Sequence, residues 1–102
     1  MSIVVVAAVT AVDGALAELA ALFLEAAIAV HDEPGCELYA VHETDEQVVV
    51  IEKWVDAASL QAHREGKVVA ALLERARPLA CGPADIKIVR PSSEGMGPKS
   101  AL

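Results

Sequence analysis

The spacing of apolar residues changes along the chain, and these changes predict the order of its elements. Residues 3–9 form an uninterrupted apolar run rich in valine, which is typical of a strand covered on both faces. Residues 15–30 carry apolar side chains at helical spacing, and the two glutamates in this stretch mark its exposed face. This pattern predicts a long helix that ends near His31, with Asp13 as its N-cap.

Two segments typical of strands follow a break in the helical pattern. Pro34 disfavours helix at the residue before it, and Gly35 permits a positive φ, so the chain is predicted to turn there. Residues 37–43 and 47–54 then predict two strands, and the polar residues 44–46 between them predict a hairpin turn. The centre of the chain is therefore a predicted β-hairpin.

The rest of the chain predicts two helical segments and one strand. Asp56 is the predicted cap of a short helix, which Gly66 interrupts. A second helical segment, residues 67–77, places on one face Val69, Leu72, Leu73 and Ala76. Residues 84–90 alternate between apolar and charged side chains, which predicts the last strand.

The predicted order β-α-β-β-α-β is typical of the ferredoxin-like α+β fold. Residues 1–91 are predicted to form this single domain, and the Ser-, Gly- and Pro-rich residues 92–102 to form a flexible tail. Helices on one side of a single sheet leave its other face bare. Residues 3–9 and 48–51 are apolar at both alternating sets of positions, so the bare face is expected to be apolar too. We therefore expect a homodimer whose two sheets pack face to face.

Composition favours association and disfavours anionic partners. The 102 residues are 55% hydrophobic and only 3% aromatic, so a monomer of this size exposes much apolar surface. The net charge of −7 and the scattered basic residues disfavour binding to nucleic acid or to anionic membrane surfaces.

No segment predicts export or membrane insertion. Residues 1–12 are apolar but lack a basic n-region and a cleavage-site pattern. Residues 15–30 are interrupted by charge and are too short to span a bilayer. We therefore expect a cytoplasmic protein.

The two cysteines, Cys36 and Cys81, lie far apart and form no CxxC pair. Free cysteine is among the residue types most often buried, so both are predicted to be small buried side chains. A disulfide or a catalytic thiol is the alternative interpretation.

Glu52 is a candidate for chemistry because strand alternation places it on the same apolar face as Val50 and Trp54. A carboxylate among apolar neighbours needs a hydrogen-bond partner or takes a raised pKa. One interpretation is an acid–base or substrate-orienting group, and the other is a strand-end carboxylate paired with Lys or Arg.

His63 is the best base candidate of the three histidines, because it follows Leu60 at i+3 on the inward face of the short helix and imidazole titrates near neutral pH. The alternative is a buried histidine whose hydrogen bonds are satisfied. His31 and His42 are weaker candidates. No two histidines stand at i, i+3 or i, i+4, so no metal site is expected. No glycine-rich or P-loop motif predicts a nucleotide cofactor.

Tyr39 and Trp54 are the only large rings besides Phe23. Packing in the core or in an interface is sufficient to explain such rings. The functional interpretation is that they form the flat walls of a pocket for an aromatic ligand.

Several short motifs occur in an order that resembles one family, the antibiotic biosynthesis monooxygenases. They are Glu33-Pro34-Gly35-Cys36, Tyr39, His42, Glu52-x-Trp54, Asp56, Leu60, Ala62-His63 and Pro78-Leu79. The resemblance covers about residues 3–90. It implies a dimeric α/β barrel with a pocket between each sheet and its helices. Characterised members include monooxygenases that act on quinols and polyketide phenols without metal, flavin or haem.

The resemblance implies that His63 and Glu52 are catalytic and that Tyr39, Trp54 and His42 bind substrate. The implied function is oxidation of a quinol or phenol, with O₂ and a small aromatic substrate as partners and no cofactor. Two alternatives remain open: a non-catalytic ligand-binding or stress-associated protein, and a small-lactone isomerase that moves protons with the same His and Glu.

The chain departs from the family pattern at several positions. It contains no Asn, which haem-degrading and antibiotic-tailoring relatives use in the pocket. His63 stands where the haem-degrading relatives have Trp, and Leu73 where their His falls. Residues 66–69 lack the ring and the imidazole that many quinol-type members have there. These departures disfavour haem degradation and leave the substrate open.

Overall fold

Seven helices and strands form the domain. The computed structural model describes residues 2–102, so Met1 of the predicted domain lies outside the described residues. In chain order they are β1 (Ile3–Thr10), α1 (Leu16–Val30), β2 (Cys36–Glu43), β3 (Gln47–Trp54), α2 (Ala57–Arg64), α3 (Lys67–Ala76) and β4 (Asp85–Val89). The sheet has the order β2-β3-β1-β4, and each neighbouring pair is antiparallel. The predicted ferredoxin-like α+β fold is confirmed.

Strand alternation decides which side chains meet the helices. Val48, Val50, Glu52 and Trp54 are buried, whereas the residues between them are only half-buried. Glu52 lies opposite Val5 of β1 on one side and opposite Tyr39 of β2 on the other. The helix-facing side of the sheet therefore carries a row of apolar residues with one carboxylate in its centre.

The other face of the sheet carries no helix of residues 2–102. It presents apolar side chains that are partly exposed, among them Val6, Ala8, Val49 and Ile51. Residues 92–102 include two short 3₁₀ turns, and Lys53 of this face contacts the Glu94 carboxylate at 3.1 Å and the Leu102 carbonyl at 3.2 Å. The mobility expected of this tail and the expected dimer both stay predictions.

One of the two predicted helix caps is present. The Asp56 carboxylate accepts a hydrogen bond from the Ser59 backbone N–H at 2.8 Å, which caps α2 and lowers the pKa of Asp56. The predicted Asp13 cap is wrong, because Ala15 occupies the N-cap position of α1 without a side-chain bond. A turn through Gly14, closed by the hydrogen bond from the Ala15 N–H to the Val12 carbonyl, places Asp13 two residues too early.

Both cysteines are free thiols, and their burial differs from the prediction. Cys36 is half-buried at the start of β2, whereas Cys81 is exposed. The prediction for Cys81 is wrong because the residue lies in the turn before Gly82 and Pro83, which runs along the surface. Within residues 2–102, no helix has the length and apolar character needed to cross a membrane.

Candidate functional site

Five side chains from four parts of the chain meet on the helix-facing side of the sheet. Tyr39 comes from β2, Glu52 and Trp54 from β3, and His63 from α2, while Glu33 belongs to the loop between α1 and β2. Glu52 is only 7% exposed and His63 only 6%. Buried ionisable groups are costly unless they are paired, so the contacts within this cluster are the first feature to consider.

His63 lies between two carboxylates. Its Nδ1 is 2.7 Å from Glu33 Oε1, and its Nε2 is 3.6 Å from Glu52 Oε1. An ionised carboxylate can only accept a hydrogen bond, so the Nδ1–H of His63 donates to Glu33. In the neutral imidazole this leaves the Nε2 lone pair directed toward the Glu52 side, where it is available as a base.

Trp54 holds Glu52 in place. Its Nε1–H donates to Glu52 Oε1 at 2.9 Å, and its fully buried ring lies against the His63 ring with a centroid distance of 4.5 Å. Burial raises the pKa of Glu52, and the Trp54 hydrogen bond and the nearby His63 offset part of that rise. No Lys or Arg nitrogen of the described residues lies within 4.0 Å of this carboxylate, so the alternative of a simple Lys or Arg pair does not apply.

Tyr39 completes the cluster from the other side of His63. The two rings meet edge to face with a centroid distance of 6.0 Å. Burial and the charges of Glu52 and Glu33 raise the pKa of the Tyr39 phenol well above its ordinary value. Tyr39 therefore stays protonated near neutral pH and can act as a hydrogen-bond donor.

A cavity of about 280 Å³ opens beside this cluster, between the sheet and the helices α2 and α3. Tyr39, Glu52, His63 and Arg64 supply its polar groups. Its apolar walls include Val5, Phe23, Leu72, Leu73, Ile86 and Ile88. The two isoleucines are half-exposed because α3 packs against α1 and leaves the helix-facing side of β4 open.

Three atoms of the cluster are free to bind a ligand in this cavity. Glu52 Oε2, His63 Nε2 and the Tyr39 hydroxyl make no hydrogen bond to residues 2–102. None of them is a fully buried atom without a partner, so each retains accessible surface. A larger groove of about 340 Å³ between α1 and α3 lacks His, Tyr and Cys, so it offers no comparable set of groups.

The structure brings together four of the five site residues expected from the sequence. His63, Glu52 and Tyr39 line the cavity, and Trp54 lies behind them without lining it. His42 is exposed and pairs with Val49 on the opposite face of the sheet, so it lies outside the cluster. Its expected role in substrate binding has no support from this position within a single chain.

The sequence pattern does not predict Glu33 or Arg64 as site residues. Glu33 stands in the tetrad that carries the family resemblance, where the pattern predicts only a break in the chain. Its contact with His63 joins residues 30 positions apart and depends on how the loop meets α2. The sequence feature that points to Glu33 is an acidic residue directly before the Pro34-Gly35 turn. Among residues 2–102, no three His, Cys, Asp or Glu side chains converge in a group that could hold a metal ion.

Comparisons with known proteins agree with this fold. Residues 2–75 match the family described as antibiotic biosynthesis monooxygenase, whereas no curated protein matches the sequence at a significant level. The Mycobacterium tuberculosis protein Rv0793 has a similar structure, with a TM-score of 0.83, 20% identity, and coverage of 90% of this chain and 96% of that one.

Two further solved structures are similar over most of their length. A Caulobacter crescentus protein provisionally named as an antibiotic biosynthesis monooxygenase has a TM-score of 0.80 and 25% identity, with 86% of this chain and 87% of that chain covered. A Nitrosomonas europaea protein of unknown function has a TM-score of 0.80 and 26% identity, with 86% of each chain covered.

Proposed function

Because the chain belongs to the antibiotic biosynthesis monooxygenase family, we propose that it oxidises a small quinol or phenol with O₂, without a metal or organic cofactor. One observation carries this proposal. The unpartnered His63 Nε2 and Glu52 Oε2 face an apolar cavity that is large enough for a small ring compound. Such a cavity binds the ring while an acid–base pair acts on its hydroxyl group.

The walls of the cavity favour a flat apolar ligand. Leu72, Ile86 and Ile88 offer apolar contact, and the volume of about 280 Å³ is near the lower end of small-molecule sites, roughly 300 Å³. The polar groups of the cavity are Tyr39, Glu52, His63 and Arg64, and they orient the hydroxyl of a phenolic substrate toward His63. Arg64 also lines the cavity and adds a positive charge that favours the phenolate.

His63 is the proposed base of the reaction. Its Nε2 accepts the phenolic proton, and the resulting imidazolium lies between the carboxylates of Glu33 and Glu52. These negative charges stabilise the imidazolium. The neutral Tyr39 hydroxyl can donate a hydrogen bond to a substrate oxygen.

The deprotonated substrate itself supplies the electrons. A quinolate is electron-rich enough to reduce O₂ directly, so a quinol and one O₂ can give a hydroxyquinone and one water. One oxygen atom enters the product, the other leaves as water, and the four electrons come from the substrate. The protein binds the ring, takes up the proton and excludes bulk water.

Oxygen uptake over a panel of quinols and naphthols tests the proposal. We expect substrate-dependent O₂ consumption that a chelator does not abolish, and a roughly 10²- to 10⁴-fold loss of rate in His63→Ala. His42→Ala is the matched substitution on the opposite face and is expected to retain the rate. A His63→Ala variant as fast as the wild type would remove His63 from the mechanism.

Repeating the assay without O₂ distinguishes the proposed oxidation from the two alternative functions. Isomerisation of a small lactone by His63 and Glu52 proceeds without O₂, whereas the proposed oxidation stops. A binding protein raises its melting temperature with ligand but forms no product in either atmosphere. Product that forms without O₂, or ligand binding with no product in either atmosphere, would contradict the proposed oxidation.

A further inference from the structure

We infer that Glu33 is a positioning residue that holds the His63 ring through Nδ1 and gives its proton an exit to the outer surface. This inference rests on the proposed function, because it assigns a second carboxylate to the same proton transfer. Nothing in the family comparison assigns a role to Glu33. The geometry on the two sides of the His63 ring carries the inference.

The two carboxylates beside His63 are not equivalent. Glu33 Oε1 is within hydrogen-bond distance of Nδ1 at 2.7 Å, whereas Glu52 Oε1 is 3.6 Å from Nε2. Glu52 already accepts the Trp54 N–H with the same oxygen. The ring orientation is therefore fixed by Glu33, and Nε2 stays free for the substrate.

His63 lines two cavities. The inner cavity lies beside Glu52, and an outer pocket of about 310 Å³ lies beside Glu33. Glu33, Ser59 and Lys67 line this outer pocket, and Glu33 does not line the inner cavity. The Glu33 side chain is 20% exposed, against 9% for Glu52. A proton that enters at Nε2 can therefore leave from Nδ1 through Glu33 to solvent.

The backbone around Glu33 holds this carboxylate in a defined place. The Glu33 N–H donates to the Val30 carbonyl at 3.0 Å, and the Glu33 carbonyl accepts from the Cys36 N–H at 3.2 Å. The Gly35 carbonyl accepts from the Val55 N–H at 2.9 Å, which ties the loop to the segment before α2. Glu33 and His63 are thus connected through both backbone and side-chain contacts.

The proton balance of the step is simple. The substrate hydroxyl gives its proton to His63 Nε2, and the Nδ1 proton of the imidazolium passes to the Glu33 carboxylate. Glu33 gives that proton to water in the outer pocket, and the ring is left with its proton on Nε2. The Nε2 proton then goes to the oxygen atom that leaves the substrate as water, while Nδ1 takes a proton back from solvent through Glu33, which restores the starting tautomer. Glu33, Glu52 and Tyr39 contact or approach His63, and the other charged groups that line the two cavities are Arg64 and Lys67.

The substitution Glu33→Gln removes the charge and keeps the size of the side chain. We expect kcat to fall roughly tenfold or more and the pH profile of kcat/KM to change, because His63 loses the acceptor that holds its Nδ1 proton and an opposite charge in hydrogen-bond contact. Glu33→Asp keeps the charge and is expected to recover part of the rate. Glu25→Gln on α1 is the matched control and should keep the wild-type profile, since Glu25 pairs only with the exposed Arg75.

The tautomer of His63 provides a readout that does not depend on turnover. Nitrogen chemical shifts of the neutral ring should show the proton on Nδ1 in the wild type and in Glu25→Gln, and a mixture of tautomers in Glu33→Gln. Thermal unfolding of each variant checks that the fold is retained. If no quinol is oxidised but Glu33→Gln changes the tautomer, the positioning role stands and the proposed function fails. If quinols are oxidised, and Glu33→Gln keeps both the wild-type tautomer and pH profile, the inference about Glu33 is overturned.

Discussion

Glu52 is a charged group in a place where ionisation is costly. Burial raises its pKa, so the folded protein holds the Glu52 proton to a higher pH than the unfolded chain does. The folded state therefore binds more protons between the unfolded and the folded pKa, and stability decreases as pH rises through that window. This cost at neutral pH is typical of a residue kept for its chemistry.

Glu52→Gln should remove that cost while still accepting the Trp54 hydrogen bond. We expect the stability of the variant relative to the wild type to increase as the pH rises above the ordinary glutamate range, about pH 4, toward neutral. Urea unfolding across this range measures the difference. Glu46→Gln in the exposed hairpin turn is the control and should show no such trend. A difference that stays constant or decreases with pH would contradict a raised pKa of Glu52.

Trp54 is expected to stabilise the fold partly through its bond to that carboxylate. Trp54→Phe leaves Glu52 without its N–H donor, and we expect a loss of about 1–3 kcal/mol beyond the packing change. In the Glu52→Gln background the lost bond is neutral, so the loss should be smaller. A double-mutant cycle from urea unfolding isolates the coupling, because the packing change is common to both backgrounds. Strict additivity would mean that the charge of Glu52 adds nothing to the bond.

Local spacing explains which of these residues could be predicted. Alternation along β3 was sufficient to place Glu52 inward, and the i, i+3 relation to Leu60 was sufficient for His63. The partner of His63 could not be predicted in the same way. Glu33 reaches it only because the loop after α1 meets α2, and no local period encodes that contact.

Among the elements, the loop after α1 depends on a glycine that accepts no side chain. Gly35 has φ of +79°, and a Cβ built on it would overlap Ser59 of α2 and approach Val55 to 2.9 Å. The loop and α2 are therefore in close contact at this point, and Glu33 lies two residues before it.

Gly35→Ala is expected to destabilise the protein more than Gly82→Ala. Both positions have a positive φ, which costs about 1–2 kcal/mol for a residue with a Cβ. Only Gly35 has neighbours within 4 Å, so it alone adds about 1–3 kcal/mol of overpacking. Thermal or urea unfolding of both variants measures this difference. Equal losses would show that the loop does not pack closely on α2.

The helices and strands could be predicted from the sequence because the spacing of apolar residues differs clearly between the two kinds of element. The errors occur where a contact or a cavity overrides the local pattern. Asp13 has a capping side chain, but the Gly14 turn places it outside the helix. Leu73 belongs to the apolar stripe of α3 and yet is half-exposed, because the cavity beside β4 leaves it without a covering residue.

At the scale of the whole molecule, a single chain leaves the apolar face of the sheet opposite α1, α2 and α3 uncovered by these helices. Its side chains include Val6, Ala8, Val49 and Ile51 of β1 and β3, with Lys53 at one end, and the family resemblance implies that a second copy packs there. We expect a dimer, because exposed apolar patches of this kind favour association. In such a dimer, His42 lies near the contact between the two sheets.

Ile51→Glu tests this expectation. Ile51 is central on the bare face, between Val6 and Ala40 in the strand register, so a charge there should convert the dimer to a monomer. Ile28→Glu is the control, because Ile28 is highly exposed on α1, away from the sheet. Light scattering after size exclusion gives both masses. A wild-type monomer, or a dimer that persists in Ile51→Glu, would contradict the expected interface.

The central claim is that the His63–Glu52 cluster activates a phenolic substrate for direct reaction with O₂, and labelling with ¹⁸O₂ tests it most directly. The account predicts one labelled oxygen atom in each product molecule, one O₂ consumed per substrate, and loss of both in His63→Ala. Product that carries no label, or that forms at the same rate without O₂, would contradict it.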